Sequence, residues 1–210
     1  GEIFSQIWTS PRQVFRRIEE VTYEKYMFLL IILGSIDQVF DRAMLKSMGD
    51  KLPLAYVIII CLVGGILFGW LSYMIGAAIL RWVGSKLGGE ASFKSVLRVL
   101  AYSSVPSILT LTVLSFQLVI FGEAMFKSEG YVFEDFFLTD ILMLPLFFAT
   151  ILIQLVLGIW SFVISINGLS VVHNFSRWRA LGSILLSALL IVGILLVLIM
   201  PIIFLYLRRY

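Results

Sequence analysis

Apolar residues along this chain gather into long runs separated by short charged connectors, and the lengths of those runs fix the architecture. Five stand out, at about residues 26–45, 54–83, 97–122, 141–172 and 180–207. A helix rises about 1.5 Å per residue and a bilayer's hydrocarbon core is about 30 Å thick, so about 20 mostly apolar residues cross it. The pattern predicts an all-α polytopic integral membrane protein. A five-transmembrane-helix bundle fills residues 26–210, after an amphipathic N-terminal segment over 1–25.

The runs are unequal. The first is apolar from Tyr26 to Phe40 except for Asp37 and Gln38, and must borrow Tyr23 or Ala43 to Leu45 to cross. The second, Leu54 to Val83, is too long for an upright helix and must tilt or project. It carries Cys61, Gly65, Gly69, Ser72 and Gly76 at helical spacing, a stripe of small residues including a Gly65-x-x-x-Gly69 pair. Such a stripe lets another backbone approach closely, either within the bundle, at a homodimer seam or along a substrate path. The third run opens with Ser92 as a cap and Phe93, Val96, Leu97, Leu100 and Ala101 as an apolar face, with Lys94 and Arg98 lying off that face. Pro106 then removes the donor that the Tyr102 carbonyl would use, which predicts a kink there, with Ser103 and Ser104 placed to satisfy the freed groups. The fourth and fifth runs contain Pro145 and Pro201, with a tight turn over His173 to Arg179 between them.

Residues 1–25 have no continuous apolar stretch, so no cleavable signal is expected. Ser10-Pro11 opens a helix with Val14, Phe15, Ile18 and Val21 on one side and Arg12, Arg16, Arg17, Glu19 and Glu20 on the other. That helix lies on the membrane surface with Trp8 at headgroup depth, or packs on the connectors.

Sixty per cent of the 210 residues are apolar and 14% charged, far from the about one quarter charged of a soluble domain. The net charge of +3 forms no tract that would attract nucleic acid; the bilayer and other membrane proteins are the expected partners. Its placement sets a topology. The N-terminal segment and the connectors around Lys86 and Arg177 hold ten of the 16 lysines and arginines, and the other side holds six. That bias predicts a cytosolic N-terminus and an outside C-terminus in the cytoplasmic (inner) membrane.

Chemistry is sparse. Asp37 is the best candidate for an intramembrane proton or cation site, with Gln38, Gln117, Gln154 or Asn167 as neighbours; in the alternative Asp37, Asp41 and Arg42 mark the wet outer end of a short, tilted helix. His173 is the only histidine, so a multi-histidine metal site is excluded. Cys61 is the only cysteine, so no disulfide forms within the chain. No Gly-x-Ser-x-Gly elbow occurs, and Gly88-Gly89 lacks the Lys-Ser ending of a phosphate loop. Asn174-Phe175-Ser176 matches a glycosylation acceptor on the expected cytosolic side. The acidic outer loop, Glu123 to Asp140, does not space its carboxylates like a calcium loop. No catalytic residue, cofactor or metal is expected.

Three segments in order carry a family resemblance: Ser10-Pro11-Arg12-x-x-Phe15-x-x-Ile18, then Leu87-Gly88-Gly89-x-x-Ser92-Phe93-x-x-x-Leu97-Arg98-Val99-x-Ala101-Tyr102 with Pro106, and Gly168-Leu169-x-x-x-His173-x-x-Ser176-x-x-Arg179-Ala180. Together they resemble the Yip1 domain family in its bacterial form. The resemblance implies five membrane helices and a cytosolic N-terminus. Eukaryotic relatives bind Rab-type GTPases and one another and affect vesicle traffic and membrane shape. This chain has no long hydrophilic region within its first 25 residues, so the Rab contact is not carried over. The middle motif falls on Gly88, Gly89, Phe93, Arg98, Tyr102 and Pro106, expected to set a connector and a kink. The function expected is a non-enzymatic membrane scaffold or adaptor working by lateral contact, including homo-oligomers, in membrane organisation or trafficking. The alternative is a small transporter or lipid-handling protein with a polar site near Asp37.

Overall fold

The computed structural model describes residues 2–128 and 143–207, and every regular element among them is helical. The acidic stretch over 129–140, with Phe133, Phe136 and Phe137, lies outside the described residues. The α-helices run in order α1 (Glu2–Thr9), α2 (Pro11–Val21), α3 (Met27–Leu45), α4 (Leu54–Lys86), α5 (Phe93–Ser103), α6 (Val105–Phe121), α7 (Met143–Val172) and α8 (Arg177–Leu207). Four rods are long and apolar enough to cross a membrane: α4, α5 with α6, α7 and α8. α3 is not among them, because Asp37, Asp41 and Arg42 fall within its 19 residues.

Local chemistry explains the helix ends. α2 starts on Pro11, whose missing N–H would be unpaired in a first turn anyway, and stops where Thr22 turns left-handed at φ 47°. Ser92 caps α5 by accepting the Ser95 N–H at 3.0 Å. The third rod is interrupted at Ser104, where α6 restarts with Pro106 in its first turn. The serines there serve the broken ladder. Ser104 Oγ donates to the Ala101 carbonyl at 2.7 Å and to the Leu30 carbonyl at 3.2 Å, and Ser161 Oγ donates to the Ser103 carbonyl.

The closest helix pair is α3 against α4, and the small-residue stripe is the reason. A Cβ on Gly65 would sit 2.7 Å from Ile36 Cα, and one on Gly69 would collide with Ser35. The stripe therefore faces α3 at these positions, while Ser72 is exposed and Gly76 half-buried. In lipid, apolar side chains gain little by leaving the tails, so close backbone contact is what supplies the dispersion energy.

The core divides into two clusters at opposite ends of the bundle. One joins α1, α2, α5 and the C-terminal end of α7 around Phe15, Ile18, Tyr102, Ile164 and Leu169. The other joins α3, α4 and α6 around Phe40, Cys61, Phe121 and Phe126. Phe126 belongs to a short 3-10 turn, Gly122–Phe126, that folds back over the α3–α4 turn. There Ser128 N–H donates to Asp50 at 3.0 Å. The first part of the expected polar loop is thus buried, because Ala124, Met125 and Phe126 have an apolar surface to cover.

Candidate functional site

Chemistry-bearing side chains concentrate at the end of the bundle where α2, α5, the α4–α5 connector and the α7–α8 turn meet. Each element brings one kind of group. α2 turns Phe15 and Ile18 inward, both 1% exposed, and leaves Arg12 and Arg16 outward. Phe15 enters because α7 has no side chain at Gly168: a Cβ there would sit 2.7 Å from Val99 and 2.8 Å from Phe15. Tyr102, fully buried, tilts against Tyr23 at 6.3 Å between ring centroids. Phe93 packs against the same cluster.

Arg98 corrects the helix-face expectation. Lys94 is exposed, but Arg98 is only 5% exposed and points at α2. Its guanidinium bonds Glu19 at 3.0 Å and Glu24 at 3.1 Å, and Ser95 Oγ, 3.3 Å away, donates in turn to Glu19. Two carboxylates from a segment 74 and 79 residues earlier make the burial of a cation affordable. Losing such partners costs about 3–5 kcal/mol where the pair is fully buried. Here the value is smaller, because Glu19 and Glu24 are 36% and 45% exposed.

His173 is the wedge of the site. Its ring is 1% exposed and stacks on Phe175 at 4.9 Å. The Ala91 N–H donates to Nδ1 at 3.4 Å, which places the ring proton on Nε2. Nε2 is buried with no hydrogen-bond partner among the described residues. Burial pushes the imidazole below its ordinary value of 6.5, so it is neutral. The ring fits because Gly84 and Gly89 have no side chains: a Cβ on either would overlap it. Gly88 has a different job. Its φ of +83° lies in the left-handed region, which glycine enters without strain.

The other sequence candidates lie apart. Asp37 is half-buried on α3, with Asp41 on its own helix and Ser107 of α6 facing its carboxylate. Gln117 and Gln154 are not its neighbours in the bonded sense. Gln154 donates to Gln117 at 2.9 Å and Gln117 to Thr150 at 2.8 Å, a polar clasp between α6 and α7. Asn167 donates to the Val163 carbonyl of its own helix. A cleft of about 310 Å³ does open beside Gln38, lined by Ser72, Tyr73, Gly76, Ser103 and Ser107 among others.

Three positions escaped the sequence: Glu19 and Glu24 as partners of Arg98, and Gly84 as the second glycine under His173. The available signal was weak, namely a lone arginine near an apolar face and a carboxylate-rich segment elsewhere. Among the described residues no nucleophile stands beside a base at this end; both terminal nitrogens of Arg98 bond carboxylates while its Nε is buried without a partner, and His173 is sealed.

Residues of all three resemblance segments meet in this one cluster. Neither the curated proteins nor the solved structures give a match. The family model described as the Yip1 domain matches residues 5–200, from α1 through most of α8. The chain therefore belongs to the Yip1 domain family.

Proposed function

We propose that this protein is a non-enzymatic membrane scaffold or adaptor that acts by lateral contact with other membrane proteins. In this reading α3 is the fifth crossing, and the end holding Arg98 and His173 faces the cytosol at the inner membrane, as the lysine and arginine distribution favours. One observation carries the proposal. Residues 191–200 of α8 are exposed around the whole circumference of the helix, whereas its first half buries Ala180, Ser183 and Ser187 against α4 and α7. An apolar rod held by one half and free in the other offers its surface to a neighbouring membrane helix. Homo-oligomers and mixed assemblies both fit that surface.

Cross-linking tests it. In a Cys61→Ala background, Val197→Cys in native membranes should give a discrete cross-linked adduct, whose partner mass spectrometry identifies. Ile59→Cys, on a lipid-exposed face of α4, serves as the comparison. Equal or absent adducts at both sites would count against lateral contact through α8.

A second reading, a small transporter or lipid-handling protein, is favoured by the serine-lined cleft of about 310 Å³ bordered by Gln38 and by Ser107, the residue that faces the Asp37 carboxylate. It predicts proton- or cation-coupled uptake in liposomes that is lost in Asp37→Asn. A wild-type protein that moves nothing across a broad substrate panel would leave the scaffold reading alone.

A further inference from the structure

A cleft of about 610 Å³ lies on the outer side of the cluster, between the first turns of α2 and the α7–α8 turn. Small-molecule sites span about 300–1,000 Å³, so it has room for a sizeable headgroup. Its lining includes Arg12, Arg16, Asn174, Phe175, Ser176 and Arg179. Three arginines converge from two elements that are distant in sequence. Among the described residues, no ion pair engages Arg12, Arg16 or Arg179, whereas both terminal nitrogens of Arg98 nearby bond carboxylates. No acidic residue lines this cleft, although Arg16 also borders a neighbouring one with Glu19, Glu20 and Glu90, and like charges gathered on one wall repel, a cost that a bound anion removes.

The polar groups are arranged to serve such an anion. Arg12 and Arg16 are one helical turn apart on α2, both outward. The Arg179 guanidinium lies beside Gly88, where an added Cβ would make ordinary contact with Nη1 at 3.9 Å. Ser176 Oγ accepts the Arg179 N–H at 3.3 Å as the cap of α8, which leaves its own hydroxyl hydrogen to donate. The positive end of the α8 dipole adds to the same field. Asn174, at φ 55°, holds the turn that presents these groups.

We propose that this cleft is a phosphate-binding site, with Arg12, Arg16 and Arg179 as the cationic cradle and Ser176 as a neutral donor. Arginine suits the role because its planar fork bonds two oxygens of one phosphate. The phosphate comes from an anionic phospholipid headgroup or from a free phosphate in solution. The surroundings fit the lipid: Trp178, beside the site on α8, is 81% exposed, and tryptophan rests at headgroup depth. Phe175 gives the cleft an apolar wall. The site does not depend on the lateral contact of α8, and either can fail without the other.

The full chain in detergent, titrated with phosphatidylglycerol or phosphatidylcholine and followed by native mass spectrometry, tests the site. A parallel thermal-unfolding titration uses inorganic phosphate. The wild-type protein should retain phosphatidylglycerol over phosphatidylcholine. The double variant Arg12→Gln/Arg179→Gln should retain it about tenfold less, and Arg81→Gln/Lys94→Gln, which removes the same charge at the same end, should match wild type. Arg12→Lys/Arg179→Lys, conserving the charge, should lie between, and guards against a folding defect in the glutamine double. A thermal shift with inorganic phosphate, lost in the same arginine double, makes the ligand a soluble phosphate. No headgroup preference together with no phosphate shift, or equal loss in both glutamine doubles, overturns the site.

Discussion

The Arg98–His173 end of the bundle and the outer half of α8 are made from the same kind of apolar helix, yet they are held by opposite means. At the first, glycines, a neutral imidazole, an aromatic wedge and a doubly ion-paired guanidinium interlock, and nearly every group has one place to be. At the second, residues 191–200 are all exposed among the described residues. The difference shows where sequence identity matters. In lipid an exposed leucine is at home, so a free helix half needs only to be apolar. A close-packed polar cluster needs particular residues at particular places.

Substitutions that fill close contacts should separate the regions most strongly. Gly69→Leu drives a side chain into Ser35 of α3, whose Cβ and Oγ an added Cβ would already overlap, and should cost about 3 kcal/mol or more, since overpacking costs about 1–3 kcal/mol even where neighbours can yield. A melting temperature in detergent equal to wild type would contradict the α3–α4 packing. Next in size is a pH effect confined to the His173 end. Because burial holds the folded imidazole below 6.5, the unfolded chain binds its proton first as pH falls. Stability is therefore complete above pH 6.5 and declines below it, by at most about 1.4 kcal/mol per pH unit. Thermal unfolding of wild type and His173→Gln from pH 7.5 to 5 measures this: the slope should be shallower in the variant, and identical slopes would remove His173 as its source. The smallest effect belongs to α8. Gly193 has open space around it, so Gly193→Leu should shift stability by less than about 0.5 kcal/mol in detergent. A loss as large as that of Gly69→Leu would mean that this half is packed after all.

What was legible in the sequence follows the same division. Run length and Pro106 marked the rods and the break at Ser104, because both act through the local backbone. Ser10-Pro11 and Ser92 marked helix starts for the same reason. The Gly65 and Gly69 stripe announced a close approach, but spacing alone could not say that α3 was the element approaching. Arg98 looked solvated because its helix face argued so, and only Glu19 and Glu24, 79 and 74 residues away, reverse that. His173 was legible only as the start of a tight turn, since nothing in its own segment reveals Gly84 and Gly89 across from it. Phe126 sat in a stretch read as polar, and its burial depends on the α3–α4 turn it covers.

The meeting of α2 with α5 is tested most directly by a double-mutant cycle between Arg98→Met and Glu19→Gln/Glu24→Gln, read by equilibrium unfolding in detergent. Direct ion pairing predicts non-additivity of about 1–3 kcal/mol, with the triple variant more stable than the sum of losses implies. Losses that add within about 0.5 kcal/mol would mean that Arg98 does not pair with α2 and the stretch that follows it, and that the family segments do not converge there.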